Sequence, residues 1–448
     1  MGESKSEPTN KKTSTKPVTT TISQPTNLPR SQNPPTDLSS QPTAHISNDK
    51  TSNSQKEPKT QKPHKPKTIL KVIIFLIIIF AFFGTIIALW ILGWLSSQPT
   101  NTPNIDRVDF PDPIYSNLTG EEITDAKLND SPTFCVQIPN GLDGARPQAG
   151  LNQAAVVFEA IAEAGITRFA AIFQNPTTSA IGPIRSLRPY YLEWDTPFDC
   201  TVTHAGGSNE ANTALWQGNY RDLNESPVYM WRETSNRGWN NLFTSSNDLA
   251  SFNQNQDYTS STPKTFPHLT PDEVQAVLAQ NFSQNNCSNE DNNCLSTIIS
   301  NISINFGISP LFNTYYTYDT KTNKYTRYFA TGNQHLTYSC SSELYHPNTV
   351  TSCGNPEPVA PNVIIAMVVS ESLMADNYHE NIRTIGSGTA TIFQNGKVIE
   401  GSWTKTSAEE QIVFRDASGN IIKLTPGQTW ISAIPQYGSV SYETIVLE

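Results

Sequence analysis

The feature that most limits what this chain can fold into is VIIFLIIIFAFFGTIIALWILGWL, an uncharged run of 24 residues that begins at Val72 and ends at Leu95. As a helix it extends roughly 36 Å, enough to cross a bilayer, and its length and the lack of a small-residue cleavage site argue for a retained anchor over a signal peptide. Lys62, Lys65, Lys67 and Lys71 precede it and SSQPTNTPN follows, a charge asymmetry that predicts a cytoplasmic N-terminus and an outer C-terminal part. Trp90 and Trp94 fall where an interfacial aromatic belt is expected. Residues 68–96 are therefore expected to be a single transmembrane helix in the cytoplasmic membrane.

Composition changes sign across this run. Up to Lys71 there are 12 Lys/Arg against 5 Asp/Glu, a balance of +7, and the remainder carries 18 against 35, a balance of −17. Residues 1–67 consist of Ser, Thr, Pro, Asn, Gln and Lys with few branched or aromatic side chains. Such a segment cannot bury enough surface to offset ordering entropy, so a disordered basic tail is expected. All six cysteines lie beyond the run, as expected for an oxidising compartment. Sequence proximity favours Cys287 with Cys294 and Cys340 with Cys353, leaving Cys135 with Cys200. No CxxC pair or nearby histidine supports zinc at CSNEDNNC.

The outer part reads as α+β. Residues 97–112 form a short stalk. A mixed α/β segment over 113–265 contains the strand candidates TFCVQI, AAVVFEAI, TRFAAIFQ and FDCTVTHA, with helices over 186–193 and 209–217. Residues 266–304 read as a polar connector carrying the helix PDEVQAVLAQNF. From 305 to 448 the pattern is that of an antiparallel β-rich domain, where Asn395-Gly396 between alternating strands demands a two-residue hairpin.

Unusual residues concentrate in four patches of the first segment. IGPIRSLRPY sets Arg185 and Arg188 on one rigid turn between prolines, and Arg146 and Arg168 lie in NGLDGARPQAGL and EAGITRF. Guanidinium groups held this close repel unless an anion lies between them: either an internal carboxylate such as Glu159, Glu163 or Glu193, or a bound phosphate, phosphodiester or carboxylate. In HAGGSNEA, Gly206 and Gly207 precede a predicted helix start where backbone N–H groups could face an anion. His204 and Glu210 are candidate base and acid and Ser208 a candidate nucleophile, with Ser208 or Asn209 as the helix cap otherwise. No G-x-S-x-G, P-loop or dinucleotide fingerprint is present, and no cofactor, metal or nucleic-acid partner is expected. In the second segment Trp403, Lys405, Trp430, Tyr325 and Tyr328 are candidates for a binding face, with core packing the favoured reading of the tryptophans.

Together the runs ARPQAGLNQAAVVFEAIAEAGITRFAAIFQN, IGPIRSLRPYYLEW and HAGGSNEA, followed by GSGTATIFQNGKVIEGSWTK and DASGNIIKLTPGQTWISAIP, resemble the YerB-like bacterial lipoprotein family, a domain of unknown function with N- and C-terminal parts. The resemblance covers residues 113–445 and implies a bacterial, extracytoplasmic, membrane-tethered protein; it supplies no reaction. Two departures stand out: Asn240 occupies a position where members carry histidine, and no lipobox cysteine is present. The functional expectation is an envelope protein that binds an anionic or glycan component of the wall, or a partner of wall synthesis such as a peptidoglycan-related protein. The rivals are a hydrolase or transferase acting on a phosphodiester-linked polymer, and a structural adaptor for other membrane proteins.

Overall fold

The computed structural model describes residues 67–96, 112–282 and 296–447. The expected basic tail, most of the stalk and the Cys287–Cys294 pair lie outside these residues. The chain divides into two compact units, Met1–Arg107 and Val108–Glu448.

In the first unit the helix α1, Lys67–Ser96, runs 30 residues. Most of its described apolar side chains, Phe80, Phe82, Phe83 and Trp90 among them, are exposed. Taken alone, the described residues contain no helix that meets the length and apolarity of a membrane crossing.

The second unit is α+β and dominated by strands. Its first stretch supplies β1 (Thr133–Pro139), β2 (Val156–Glu163), β3 (Ile166–Gln174), β4 (Cys200–His204) and β5 (Arg221–Asn224). Between Phe282 and the C-terminus come β6 (Ser296–Asn305), β7 (Thr314–Asp319), β8 (Lys324–Phe329), β9 (Val363–Leu373), β10 (Gly386–Gln394), β11 (Lys397–Lys405), β12 (Val413–Asp416), β13 (Thr429–Pro435) and β14 (Ser439–Leu447). Helices are few: α2 (Pro189–Asp195), α3 (Asn209–Gln217), α4 (Ser246–Asn255) and α5 (Pro271–Phe282).

One large sheet runs in the order β12-β11-β10-β9-β13-β2-β3-β1-β4-β5, with Glu380–Arg383 paired to β9 as an eleventh strand. Both sequence segments contribute to it, because β13 pairs in parallel with β2, Trp430 opposite Val157 and Ser432 opposite Glu159. β9 and β13 are also parallel, so the later segment is not the purely antiparallel layer its alternating strands suggest. Hydrophobic runs on β1, β2 and β3 are buried on both faces, as in a sheet covered on each side. Phe158 and Ala160 face one core with Tyr191 and Trp194 of α2, while Val157 faces the other with Phe169 and Trp430.

A second, antiparallel sheet has the order β8-β7-β6-β14. Its Ile302, Ile304, Tyr316 and Tyr325 pack against Ile364, Phe393 and Ile434 of the large sheet. β6 therefore corrects the connector reading of 266–304: Ile298, Ile299, Ile302 and Ile304 are buried in the core, although intervening Ser and Asn make the segment polar on average. The hairpin at Asn395 and Gly396 forms with φ of 54° and 70°, the left-handed pair that a two-residue turn requires. Disulfides join Cys135 to Cys200 and Cys340 to Cys353.

Candidate functional site

The arginine turn is assembled on strand ends. Arg185 N–H donates to Gln137 O and its carbonyl accepts from Ala205 N–H, which pins the turn between the ends of β1 and β4. Pro189 occupies the first turn of α2 and removes a donor that the helix start cannot use, while Arg188 keeps an extended backbone at the cap. The two guanidinium groups consequently diverge. Arg188 Nη2 lies 2.9 Å from Glu163 Oε2, and Arg168 Nη2 lies 2.6 Å from Glu163 Oε1. One carboxylate thus bridges two buried cations, whose Nη1 groups donate to the carbonyls of Ser186 and Leu187 while both Nε groups are buried without a partner. Burial, opposed by Glu163, holds Arg168 below its ordinary pKa.

Arg146 belongs to a different network. Its Nε donates to Asn140 Oδ1 at 2.8 Å, and its guanidinium sits 3.8 Å from the centroid of Phe329. Burial, then the proximity of Arg327, brings it down to about 9. The hub is Glu159, which accepts two bonds from Arg327 Nη2, at 2.8 and 2.9 Å, and others from Trp430 Nε1 and Thr167 Oγ1 at 2.9 and 3.0 Å. Arg327 Nη1 is 2.6 Å from His335 Nδ1, and His335 Nε2 is 2.8 Å from Gln148 Oε1. Gln148 donates through Nε2 to Pro139 O, so its Oε1 accepts and His335 carries its proton on Nε2. Burial and the two arginines keep this histidine well below its usual pKa. Arg327 and His335 are absent from the sequence-derived candidates.

HAGGSNEA forms a closed structural turn. His204 is buried, with Nδ1 2.7 Å from Gly206 O and Nε2 2.8 Å from Asp222 Oδ1, so both ring nitrogens are occupied. Gly206 N–H donates to Asn224 Oδ1, and Gly207 bridges Leu187. Ser208 caps α3 by accepting from Ala211 N–H, and Glu210 is exposed in the first turn of that helix. The structure does not join His204, Ser208 and Glu210 into a base–nucleophile–acid relay. Trp430, Trp403 and Tyr325 are buried in the core, and Lys405 Nζ donates to the carbonyls of Ala408 and Glu410.

Arg185 is the exception among the four arginines. Its side chain is half-buried and makes no ion pair or side-chain hydrogen bond among the described residues. It lines a cleft of about 580 Å³ together with Arg168, Glu163, Asp143, Asn240 and Thr167, walled by Leu142, Leu311, Phe312 and Tyr378. Leu311, Phe312 and Tyr378 come from the later segment and the others from the earlier, so the cleft lies at the seam of the two, a common location for ligand sites. It combines a free guanidinium, carboxylate and amide acceptors and apolar walls, a set suited to holding a polar ligand with an acidic group.

The succession of segments around this seam is that of a two-part family. Residues 118–259 match the N-terminal domain, and residues 302–431 the C-terminal domain, of the protein of unknown function DUF3048; the chain belongs to this family. It is similar to YerB of Bacillus subtilis (strain 168), a protein named as a lipoprotein, with 28% identity over 332 residues, 73% of this chain and 88% of YerB. The crystal structure of YerB superposes with a TM-score of 0.57 at 26% identity, covering 73% of this chain and 99% of that chain.

Proposed function

We propose that the chain is a single-pass bacterial envelope protein whose second unit binds an anionic or glycan component of the wall in the cleft at Arg185. The observation that supports this reading is the contrast within one cluster: Arg168 and Arg188 each pair with Glu163, whereas Arg185 lines the cleft with no ion-pair partner among the described residues. A half-buried guanidinium without a partner is retained at lower cost when a ligand supplies the anion. The membrane anchor is α1, supported by the uncharged run 72–95, its exposed aromatic and branched side chains and the lysines before it. The naming of YerB as a lipoprotein supports the same outcome, a tethered extracytoplasmic domain, reached by a different anchor.

Binding without turnover is the preferred form of this reading, since His204 has no free ring nitrogen and Glu210 no shared partner with it. The test is co-sedimentation of the detergent-solubilised full-length chain with purified wall material, comparing wild type with Arg185→Gln. Loss of sedimentation in the variant, with an unchanged melting temperature, is the expected result. Equal sedimentation of both proteins overturns the assignment of the cleft.

A further inference from the structure

We infer that the cleft selects an N-acylated amino sugar bearing a carboxylate, with the acid on Arg185 and the amide N–H on Asn240 Oδ1; the inference rests on the proposed reading of the same cleft. Asn240 is 1% exposed, and its Nδ2 donates to the backbone carbonyl of Asp143 at 2.9 Å. A carbonyl only accepts, so the amide cannot be turned over and Oδ1 is the unpaired acceptor of a side chain that lines the cleft. That oxygen is buried and has no hydrogen-bond partner in the protein. The neighbouring Arg237 does not bond it: its Nε pairs with Glu233 and its Nη1 donates to the carbonyls of Gly144 and Pro147. A buried acceptor of this kind is satisfied by a ligand N–H and penalises ligands that lack one.

The charge balance narrows the class further. Arg168, Arg188 and Arg185 bring three positive charges to the cleft against two negative ones from Glu163 and Asp143, a local balance of +1. A polyanion is disfavoured there, whereas one carboxylate with neutral hydrogen-bonding groups is matched. Leu142 and Leu311 are each at least half exposed and, with Phe312, offer an apolar wall for a sugar ring face and an acyl methyl.

The test is titration calorimetry of the full-length chain in detergent with three probes: N-acetylmuramic acid, which has both groups; N-acetylglucosamine, which lacks the acid; and glucuronic acid, which lacks the amide. The expected result is at least tenfold tighter binding of the first than of either other, with Asn240→Leu reducing it to the level of glucuronic acid and Arg185→Gln weakening both acids. Equal affinity for the two acids in the wild-type protein, with both lost in Arg185→Gln, overturns the amide assignment and leaves the anion cleft standing. No binding of any probe overturns both. The wild-type comparison decides the matter even if Asn240→Leu does not fold.

Discussion

Glu159 and Arg327 lie 168 residues apart in sequence and meet through two hydrogen bonds of 2.8 and 2.9 Å, with neither side chain exposed. The pair ties β2 to β8, and so ties the two sequence segments together, at a point no water reaches. Removing one partner leaves a buried charge uncompensated, which costs about 3–5 kcal/mol. Glu159→Gln and Arg327→Met are each expected to lower unfolding stability by that amount in urea titrations. The double variant is expected to recover part of the loss, because it leaves neither charge buried without its partner.

Glu163 is a second such point. With it replaced by alanine, Arg168 and Arg188 face each other without a counter-charge, and a loss of about 3 kcal/mol follows. Arg185 makes no comparable contact, so Arg185→Ala is expected to stay within about 0.5 kcal/mol of wild type. Chemical denaturation of the two variants side by side checks the contrast, and similar losses in both would contradict it.

Glu371 and Glu380 provide a pH dependence. Both are buried, Glu371 accepts from Tyr437 Oη at 2.8 Å, and each retains one carboxyl oxygen without a partner. Burial pushes Glu371 up to about 7, with Tyr437 opposing, and raises Glu380 as well. A folded-state pKa above the unfolded one means that the stabilisation is complete below about pH 4 and declines as pH rises toward 7. The melting temperature is therefore expected to fall between pH 5 and pH 8, and to fall less in Glu371→Gln. A variant profile parallel to wild type would remove this pair as the cause.

The two disulfides differ in the loops they close. Cys135–Cys200 spans 65 residues and Cys340–Cys353 spans 13, which correspond to about 4 and about 3 kcal/mol of lost unfolded-state entropy. Paired serine substitutions are expected to destabilise in that order. The measurement is guanidinium unfolding of each double variant under non-reducing conditions, with the reverse order as the contrary result.

Much of the scaffold was legible because local signals agreed with the final fold. The helix expected over 209–217 with Ser208 or Asn209 as its cap is α3, capped by Ser208, and Asn395-Gly396 forms its hairpin. The shared sheet was not legible, since nothing local in TWISAIP specifies that it pairs with VVFEAIAE more than 260 residues earlier. Arg327 illustrates a signal that was present and unread: in KYTRYF it falls in phase with the buried Tyr325 and Phe329, and a cation on the apolar phase of a strand implies a buried anion. The arginine turn left ligand and carboxylate as alternatives; Glu163 is the carboxylate of Arg168 and Arg188, and Arg185 lines the cleft. Asn240 was noticed only as a departure from the family pattern. Its unsatisfied oxygen depends on Asp143 turning a carbonyl toward it, which spacing alone cannot reveal.

The parallel seam between β13 and β2 has a bearing on modularity. A polypeptide ending after α5 would expose the long flank of β2, and one starting at β6 would expose that of β13, so each would offer an open ladder matched to the other. The two portions are then halves of one folding unit, suited to split-protein complementation: co-expressed fragments cut between α5 and β6 should find each other through that ladder, sealed by the Glu159–Arg327 bond, while either alone aggregates.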